Sequence, residues 1–398
     1  MLLILVTTCL LIQCVSAKNI LVFGGNGFLG SEVVYDLILK GYDVTIVNRG
    51  TPYWDFESRI KPLVNHIICD RYTGLKHCSS FVSFIQNAKF DFVIDFSCYH
   101  SKVLGDSLSL LTGKADLYIF ISTDSVYEVC VTKTPATESS EDDAVRPTNE
   151  EERSNLNSKD SYGHRKLACE ELLNKQRSEG GIPFVILRLP DVIGPRDNTH
   201  RWWMYQLWIK YHNITGTPIY VPQKVLRTLS SMVYVGDVSK VITHILHKVD
   251  SKESNNIVNE VFNLGFNENF NLKKILYKIQ TLLGINGVEY QYPSSEDAFH
   301  LYPSVYRGPV NITKAQKYLD WNPTPWDVVA KTNVEFYKQA FYTFEQERNE
   351  VLQKLETYAV APSHIDIFQQ TTRKDIEKHS HHENNCFQEK TVNNHEEL

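Results

Sequence analysis

A glycine-rich turn that directly follows an apolar segment places the strongest constraint on the fold of this chain. The turn Gly24-Gly25-Asn26-Gly27-Phe28-Leu29-Gly30 comes after the β-type run Ile20–Phe23 and opens a segment with helical apolar spacing. In that context the glycines permit a tight turn, close approach of backbone amides to a pyrophosphate, and close packing of helix on strand. Unpaired amides at the helix start favour an anion there. We therefore predict a dinucleotide-binding loop that includes Gly24, Gly27, Phe28, Leu29 and Gly30.

Apolar strand-like runs alternate with amphipathic helical segments through the first half of the chain. The predicted strands are rich in β-branched and aromatic residues: Ile20–Phe23, Val44–Val47, His66–Cys69, Phe92–Phe96, Leu117–Ser122 and Phe184–Leu187. Such runs are typical of parallel strands that are buried on both faces. The pattern predicts an α/β fold, a doubly wound parallel sheet of Rossmann type, over residues 18–189.

The alternation decays after Pro190. We predict a smaller C-terminal substrate-binding lobe over residues 190–345, with Val233–Val235 and Val261–Leu264 returning to the sheet. Residues 361–398 are polar and predict a disordered tail. Its histidines, His379, His381 and His382, could bind a metal, but we favour a solvated linker. No Cys/His set has zinc spacing, and we expect no metal site.

Both ends of the chain resemble targeting signals. Residues 1–17 are largely apolar and end in small residues, which predicts a cleaved signal peptide; a buried N-terminal helix or strand and an uncleaved anchor are the alternatives. His395-Glu396-Glu397-Leu398 resembles the retrieval signal that a receptor of the endoplasmic reticulum binds. The glycosylation acceptors Asn213-Ile214-Thr215 and Asn311-Ile312-Thr313 agree with a lumenal protein. We expect a glycoprotein of the endoplasmic reticulum lumen.

Charge and apolar-run length argue against two classes of partner. The net charge of -6 and the lack of a basic block disfavour nucleic acid. The N-terminal apolar run is shorter than the roughly 20 residues of a membrane-spanning helix, so we expect no membrane span. Two of the eight cysteines lie in the leader. Cys98 with Cys130, or Cys69 with Cys78, could form disulfides, and buried thiols are the alternative.

Residues at the ends of the second and third predicted strands should set the choice of nicotinamide cofactor. An acidic residue after the second strand would bind the ribose hydroxyl of NAD, whereas a basic residue suits the 2′-phosphate of NADP. Here Asn48 and Arg49 follow that strand, and Asp70 and Arg71 follow the third, near the expected adenine. We predict that the cofactor is NADP or NAD, with NADP favoured through Arg49.

Tyr162 and Lys166 lie four residues apart and thus on one face of a predicted helix. A tyrosine has an ordinary pKa near ~10, and a neighbouring ammonium and an oxidised nicotinamide would both favour its phenolate. Ser122 and Thr123 end an upstream strand, where a hydroxyl could hydrogen-bond a reacting oxygen. The set suits hydride transfer.

Together these motifs resemble the extended and atypical short-chain dehydrogenase/reductase superfamily, the NAD-dependent epimerase/dehydratase family. The resemblance covers about Lys18 to Pro325 and includes Leu187–Pro195, Tyr234–Asp237 and Leu319–Pro323. It implies a catalytic set of Thr123, Tyr162 and Lys166, with Ser122 as the alternative to Thr123, and Pro190 beside the cofactor. In detail, the chain looks most like the branch that contains chloroplast stem-loop-binding proteins.

The chain also departs from the family pattern. The arginine that typically binds a substrate pyrophosphate corresponds to Ser230, with Arg227 three residues earlier. A substrate-facing asparagine corresponds to Asp191, and the acid that follows Thr-Asp in dehydratases corresponds to Ser125. We expect Asp191 to face the substrate and Arg307 to compensate for the missing arginine.

Two functions remain open at this level. The first is an NAD(P)-dependent oxidoreductase or epimerase that transfers hydride to or from a secondary alcohol or ketone of a small molecule, such as a sugar or sugar nucleotide. The second is a catalytically weak NAD(P)-binding protein with an RNA or protein partner, as the stem-loop-binding branch implies. A homodimer would also fit the resemblance.

Overall fold

A computed structural model describes residues 17–133, 137–295 and 298–393, with residues 380–393 described by their backbone alone. Its strands are β1 Asn19–Phe23, β2 Asp43–Asn48, β3 Asn65–Ile68, β4 Phe90–Asp95, β5 Ala115–Thr123, β6 Phe184–Leu189, β7 Asp191–Ile193, β8 Ile219–Tyr220, β9 Met232–Tyr234, β10 Glu260–Asn263 and β11 Tyr290–Gln291. Its α-helices are α1 Phe28–Leu39, α2 Phe56–Arg59, α3 Ser79–Ile85, α4 Ser101–Leu111, α5 Glu150–Lys159, α6 Ser161–Ser178, α7 Arg201–Lys210, α8 His212–Thr215, α9 Gln223–Arg227, α10 Val235–Asp250, α11 Leu272–Leu283, α12 Thr313–Tyr318, α13 Trp326–Thr343, α14 Glu345–Ala359 and α15 Ile365–Asn393. The predicted signal peptide up to residue 16 and the signal His395–Leu398 lie outside the described residues.

A seven-stranded parallel sheet forms the centre of the N-terminal domain, in the order β3-β2-β1-β4-β5-β6-β10. Strand β6 is buried along its whole length. Apolar side chains of alternate strand residues pack into two clusters, one on each face of the sheet. This arrangement confirms the predicted doubly wound α/β fold, and it brings the carboxyl ends of β1, β2, β4 and β5 to one edge.

An aromatic-rich core organises the C-terminal lobe. Trp202, Trp203 and Trp208 of α7 are almost fully buried and pack with α11, α13 and α14. One predicted return to the sheet is right, because β10 pairs with β6. The other is wrong: the Val233 segment forms β9, which pairs with β7 in a separate two-stranded sheet. Local apolar runs specify strands, and tertiary packing selects their partners.

The predicted disorder of residues 361–398 is wrong for most of that segment. Residues Ile365–Asn393 form α15, and Phe368 is fully buried against the lobe. The hydroxyl of Tyr211 donates a hydrogen bond to Asp375 at 2.9 Å. Ile365, Phe368, Thr372 and Ile376 recur at helical spacing, which is the signal that identifies this helix. The side chains of His381 and His382 lie outside the described residues, whereas His379 stacks on Tyr342 at 3.9 Å.

The five cysteines whose side chains the structure describes divide between one disulfide and buried thiols. Cys69 and Cys78 are joined, with their Cα atoms 6.0 Å apart. Cys98, Cys130 and Cys169 are buried free thiols, so the alternative pairing of Cys98 with Cys130 is not present. In the described part of the chain, no helix combines the length and apolar character needed to cross a membrane.

Candidate active site

A cavity of about 650 Å³ lies at the carboxyl edge of the sheet, above the glycine turn. Nine of the predicted cofactor residues line it: Gly24, Gly27, Phe28, Leu29, Gly30, Asn48, Arg49, Asp70 and Arg71. The tenth, Pro190, lines an adjoining cavity. The fold thus gathers at one edge residues that three separate strand ends supply.

The glycine turn has the conformation that its sequence predicts. Gly24 has a φ of +84°, in the left-handed region that favours glycine. At Gly30, an added Cβ would lie 2.2 Å from the carbonyl oxygen of Gly24, so a side chain would separate helix and turn. Gly27 is the N-cap of the twelve-residue helix α1, no side chain caps that end, and the first residues of the helix line the cavity. The turn can accept a diphosphate on backbone amides.

Asn48 and Arg49 play different parts at the end of β2. The Asn48 side-chain oxygen accepts a hydrogen bond from the Gly50 amide at 2.7 Å and lies 3.1 Å from His66 Nε2. Asn48 therefore shapes the turn. Arg49 is exposed and lines the cavity, so its guanidinium is accessible to a ligand.

Asp70 and Arg71 both border the cavity, but the guanidinium of Arg71 is committed elsewhere. It pairs with Asp95 at 2.6 Å and donates to Ser107 at 2.7 Å, both in the core. Burial opposes its charge, yet Asp95 holds the pKa of Arg71 above its usual range. The Arg71 side chain therefore braces the strand ends at the wall of the cavity, and its binding of cofactor stays a prediction. Asp70 accepts a hydrogen bond from the Tyr72 amide at 2.9 Å.

A second cavity of about 640 Å³ adjoins the first. It is lined by the predicted catalytic residues Thr123, Tyr162 and Lys166, by the predicted substrate residue Asp191, and by Pro190. Tyr162 lines both cavities, as do Phe28, Leu29, Phe96 and Tyr99. A group bound along the glycine turn would therefore reach the phenol of Tyr162.

Helix α6 positions Tyr162 at the junction of the two cavities. The Asp160 carboxylate caps this helix by accepting a hydrogen bond from the Gly163 amide at 2.8 Å. An added Cβ at Gly163 would lie 2.2 Å from the carbonyl oxygen of Ser125, which shows how closely α6 packs on the segment after β5. That close packing places Tyr162 and Thr123 on the wall of the same cavity.

The protein groups around Tyr162 raise its pKa. Desolvation by the surrounding protein is the largest cause, although the residue is 42% exposed; Tyr99 and Asp124 add to it, and Thr123 opposes it. Lys166, which was predicted to lower this pKa, is itself buried and donates to the carbonyl oxygen of Ile121 at 2.7 Å. Burial lowers the pKa of Lys166. The protein alone therefore keeps the phenol protonated at neutral pH.

Carboxylates and one arginine form the floor of the second cavity. Asp191 pairs with Arg201 and accepts hydrogen bonds from the Ser304 amide at 3.0 Å and hydroxyl at 2.6 Å. Asp124 is buried, and burial together with the neighbouring Asp191 raises its pKa well above the ordinary value. Because Arg201 neutralises Asp191, this carboxylate repels an anionic substrate less than a free one would.

The structure does not bring Arg307 into the substrate cavity. Its guanidinium donates to the carbonyl oxygens of Cys130 at 3.0 Å and Glu128 at 3.3 Å. Its amide donates to the Glu128 carboxylate at 2.6 Å. The prediction that Arg307 replaces the missing pyrophosphate-binding arginine is therefore wrong. Ser230 is buried and bonded to the backbone of Phe270.

Sequence reasoning missed several residues that line the two cavities. Tyr99 lies with its ring 6.0 Å from that of Tyr162 and 4.9 Å from the Lys166 ammonium. Arg201 and Ser304 come from a helix start and a loop of the C-terminal lobe. No spacing in the sequence links these residues to the glycine turn, because loops far apart in the chain bring them together.

Comparison with known proteins agrees with this site. A model of the NAD dependent epimerase/dehydratase family matches residues 20–265. The chain belongs to this family. A dTDP-D-glucose 4,6-dehydratase of Mus musculus is 23% identical over 378 residues, which cover 87% of this chain and 95% of the mouse protein. A UDP-glucose 4-epimerase of Cyamopsis tetragonoloba is 27% identical, over 46% of this chain and 54% of that protein.

Solved structures of the epimerase/dehydratase family share the fold. The UDP-glucose 4-epimerase of Thermotoga maritima, solved with UDP-glucose, has a TM-score of 0.61 at 20% identity over 81% of this chain and 99% of its own. The dTDP-glucose 4,6-dehydratase of Bacillus anthracis, solved with NAD, has a TM-score of 0.63 at 18% identity, over 83% and 100% of the two chains. The predicted family and fold are confirmed, and so is the expectation of a nicotinamide-dependent enzyme class.

Proposed function

We propose that this epimerase/dehydratase family member transfers hydride between a bound nicotinamide dinucleotide and a secondary alcohol or ketone of a sugar or sugar nucleotide. The observation that supports this most is the position of Tyr162, which lines the cofactor cavity and the adjoining cavity together. The relatives named above act on sugar nucleotides by name, and their likeness motivates the substrate class.

The residues fit a division of labour at the reacting carbon. Tyr162 would exchange a proton with the substrate oxygen, and Thr123, which lines the same cavity, would hold that oxygen. Lys166 is buried four residues from Tyr162, where its ammonium can bind a ribose hydroxyl. When bound, the nicotinamide supplies the hydride acceptor or donor.

Among the reactions of this family, reversible oxidation or epimerisation fits better than loss of water. The resemblance places a second acid after Thr-Asp in dehydratases, and Ser125 holds that place here. Ser125 is buried, and its amide donates to the Thr123 hydroxyl at 3.2 Å. A serine hydroxyl does not ionise at neutral pH, so it cannot replace a carboxylate as base.

We also propose a preference for NADP and a lumenal location. Exposed Arg49 at the cofactor cavity supports the first, because a guanidinium binds a 2′-phosphate bidentately. The apolar leader, the C-terminal signal and two glycosylation acceptors in the sequence support the second.

The test is to purify the full chain, identify the nucleotide that accompanies it by mass spectrometry, and assay UDP- and dTDP-sugars for cofactor reduction and epimerisation. We expect a nicotinamide dinucleotide and an activity that Tyr162→Phe reduces about 10²- to 10⁴-fold. An activity that survives Tyr162→Phe unchanged would contradict the assignment of Tyr162. Failure of the folded chain to bind either nicotinamide dinucleotide would overturn the function itself.

A further inference from the structure

Two loops border the cofactor and substrate cavities and have unusual backbone conformations. The first, residues 49–55, joins β2 to α2 and contributes Arg49, Thr51 and Tyr53 to the cofactor cavity. The second, residues 194–200, joins β7 to α7 and contributes residues to both cavities. Trp54, Arg196 and His200 in these loops have φ values of +51°, +67° and +63°. Side chains larger than glycine adopt such angles only where surrounding contacts impose them.

The two loops are joined directly to each other. Arg196 of the second loop forms a two-pronged ion pair with Asp55 of the first, with donor–acceptor distances of 2.8 Å and 2.6 Å. Planar pairing of a guanidinium with a carboxylate fixes orientation as well as distance. A change in one loop is therefore transmitted to the other.

Helix α14 of the C-terminal lobe holds both loops through two charged side chains. The Glu347 carboxylate accepts a hydrogen bond from the Trp54 amide at 2.9 Å. The Lys354 ammonium, two turns further along, donates to the Thr199 carbonyl oxygen and to His200 Nδ1, each at 3.2 Å. Burial lowers the pKa of His200 to about 4, so its ring is neutral and can accept this hydrogen bond at pH 7.

Aromatic packing places the first loop against the same helical layer. The Trp54 ring lies 5.0 Å from Phe344, directly before α14, and 5.6 Å from Trp203 of α7. The Tyr337 hydroxyl of α13 donates to the Gly194 carbonyl oxygen at 2.8 Å and accepts from the Asp197 amide at 3.1 Å. The second loop is thus fixed at both of its ends.

We propose that Glu347 and Lys354 are positioning residues that set the affinity for the nicotinamide dinucleotide by holding these two loops against the cofactor cavity. Neither residue lines the cavity among the described residues, so each acts through the loop it binds. The inference rests on the proposed function in assuming that the dinucleotide occupies this cavity. Under this proposal, helix α14 of the C-terminal lobe contributes to cofactor binding.

The experiment compares Glu347→Ala and Lys354→Met with wild type in the full-length protein. We expect the Kd for NADP⁺, measured by calorimetric titration, to rise about threefold to tenfold in each variant, as loss of one hydrogen bond implies. Hydrogen exchange should quicken mainly in residues 49–55 for Glu347→Ala and mainly in residues 194–200 for Lys354→Met. Glu347→Gln keeps a carbonyl acceptor and should restore the wild-type Kd and the wild-type hydrogen exchange of residues 49–55.

Lys338→Met is the matched control, because Lys338 on α13 is half exposed, pairs only with Glu335 at 3.0 Å among the described residues and contacts neither loop. It should leave the Kd and loop exchange unchanged. A fall in melting temperature with an unchanged Kd in both α14 variants would overturn the inference and show a purely structural helix. Absence of NADP⁺ and NAD⁺ binding by the wild type would instead overturn the proposed function.

Discussion

The hydroxyl of Ser122 donates a hydrogen bond to the carboxylate of Glu170 at 2.5 Å inside the core. Glu170 lies on α6, the helix of Tyr162, and also forms an ion pair with Arg188 of β6 at 2.6 Å. All three residues are buried, so the Ser122 hydroxyl is engaged in this network, although Ser122 lines the second cavity together with Thr123. The two hydroxyls thus differ in their partners, and we expect Thr123 to be the one that holds the substrate oxygen.

Thr123→Ala and Ser122→Ala should therefore have different consequences. We expect Thr123→Ala to lower kcat about 10²-fold, because it removes a donor to the reacting oxygen, and to cost about 1 kcal/mol of unfolding free energy, because the Ser125 amide loses its acceptor. Ser122→Ala should lower the unfolding free energy by about 1–3 kcal/mol with a smaller effect on kcat, because it removes a buried hydrogen bond to a carboxylate that keeps its ion pair with Arg188. Steady-state kinetics and chemical denaturation measure the two effects. Equal losses of kcat in both variants would contradict the assignment of Thr123.

The raised pKa of Tyr162 predicts a pH dependence with a definite sign. The phenolate is the base for alcohol oxidation, and burial keeps the phenol protonated at neutral pH. The rate of oxidation should thus rise about tenfold per pH unit between about pH 6 and about pH 8, whereas ketone reduction should stay nearly constant there. The pH profile of kcat/KM measures this. An oxidation rate that is flat over that range would show that cofactor and substrate lower the pKa of Tyr162 below it.

Arg71→Met should lower the free energy of unfolding. Removing Arg71 leaves the buried Asp95 carboxylate without its counter-ion, which typically costs about 3–5 kcal/mol of unfolding free energy. Lys61→Met breaks an exposed ion pair with Glu57 and should cost about 1 kcal/mol or less. Urea denaturation of both variants tests the difference. If Arg71→Met were as stable as wild type and bound NADP⁺ more weakly, Arg71 would be a direct ligand after all.

Arg49→Ala should change the choice between the two cofactors. We expect its affinity for NADP⁺ to fall about tenfold to a hundredfold while that for NAD⁺ changes little, since only NADP⁺ has a 2′-phosphate for the guanidinium. Titration of both nucleotides against wild type and variant measures this. A wild-type protein that binds NAD⁺ more tightly than NADP⁺ would contradict the proposed preference.

The two glycosylation acceptors differ in exposure, which gives a test of the lumenal location. Asn213 is exposed, whereas Asn311 is half buried and its side chain accepts a hydrogen bond from the Thr313 amide at 2.9 Å. We expect the protein from its native cells to carry glycans that endoglycosidase H removes. Relative to wild type, Asn213→Gln should lose more glycan mass than Asn311→Gln. An unglycosylated protein would argue against the secretory pathway.

Local patterns in the sequence were enough to predict the sheet and the first helix. A strand followed by Gly24 and Gly30 requires a tight turn and close packing, and these depend on neighbouring residues alone. The four-residue spacing of Tyr162 and Lys166 likewise follows from helix geometry. The error in the tail came from a missed helical period around Phe368, which is a local signal as well.

Tertiary structure decided which charged groups face the cavities. Arg71 and Arg307 have the right chemistry in the sequence, but Asp95 and two backbone carbonyls engage them in the fold. Arg201 carries no sequence signal, yet it reaches Asp191 because α7 begins beside β7. A side chain's partner depends on which distant segments pack around it, and buried charges select the nearest counter-charge. The sequence by itself thus determined the fold class and the dinucleotide turn, whereas packing determined which side chains remain free to bind a ligand.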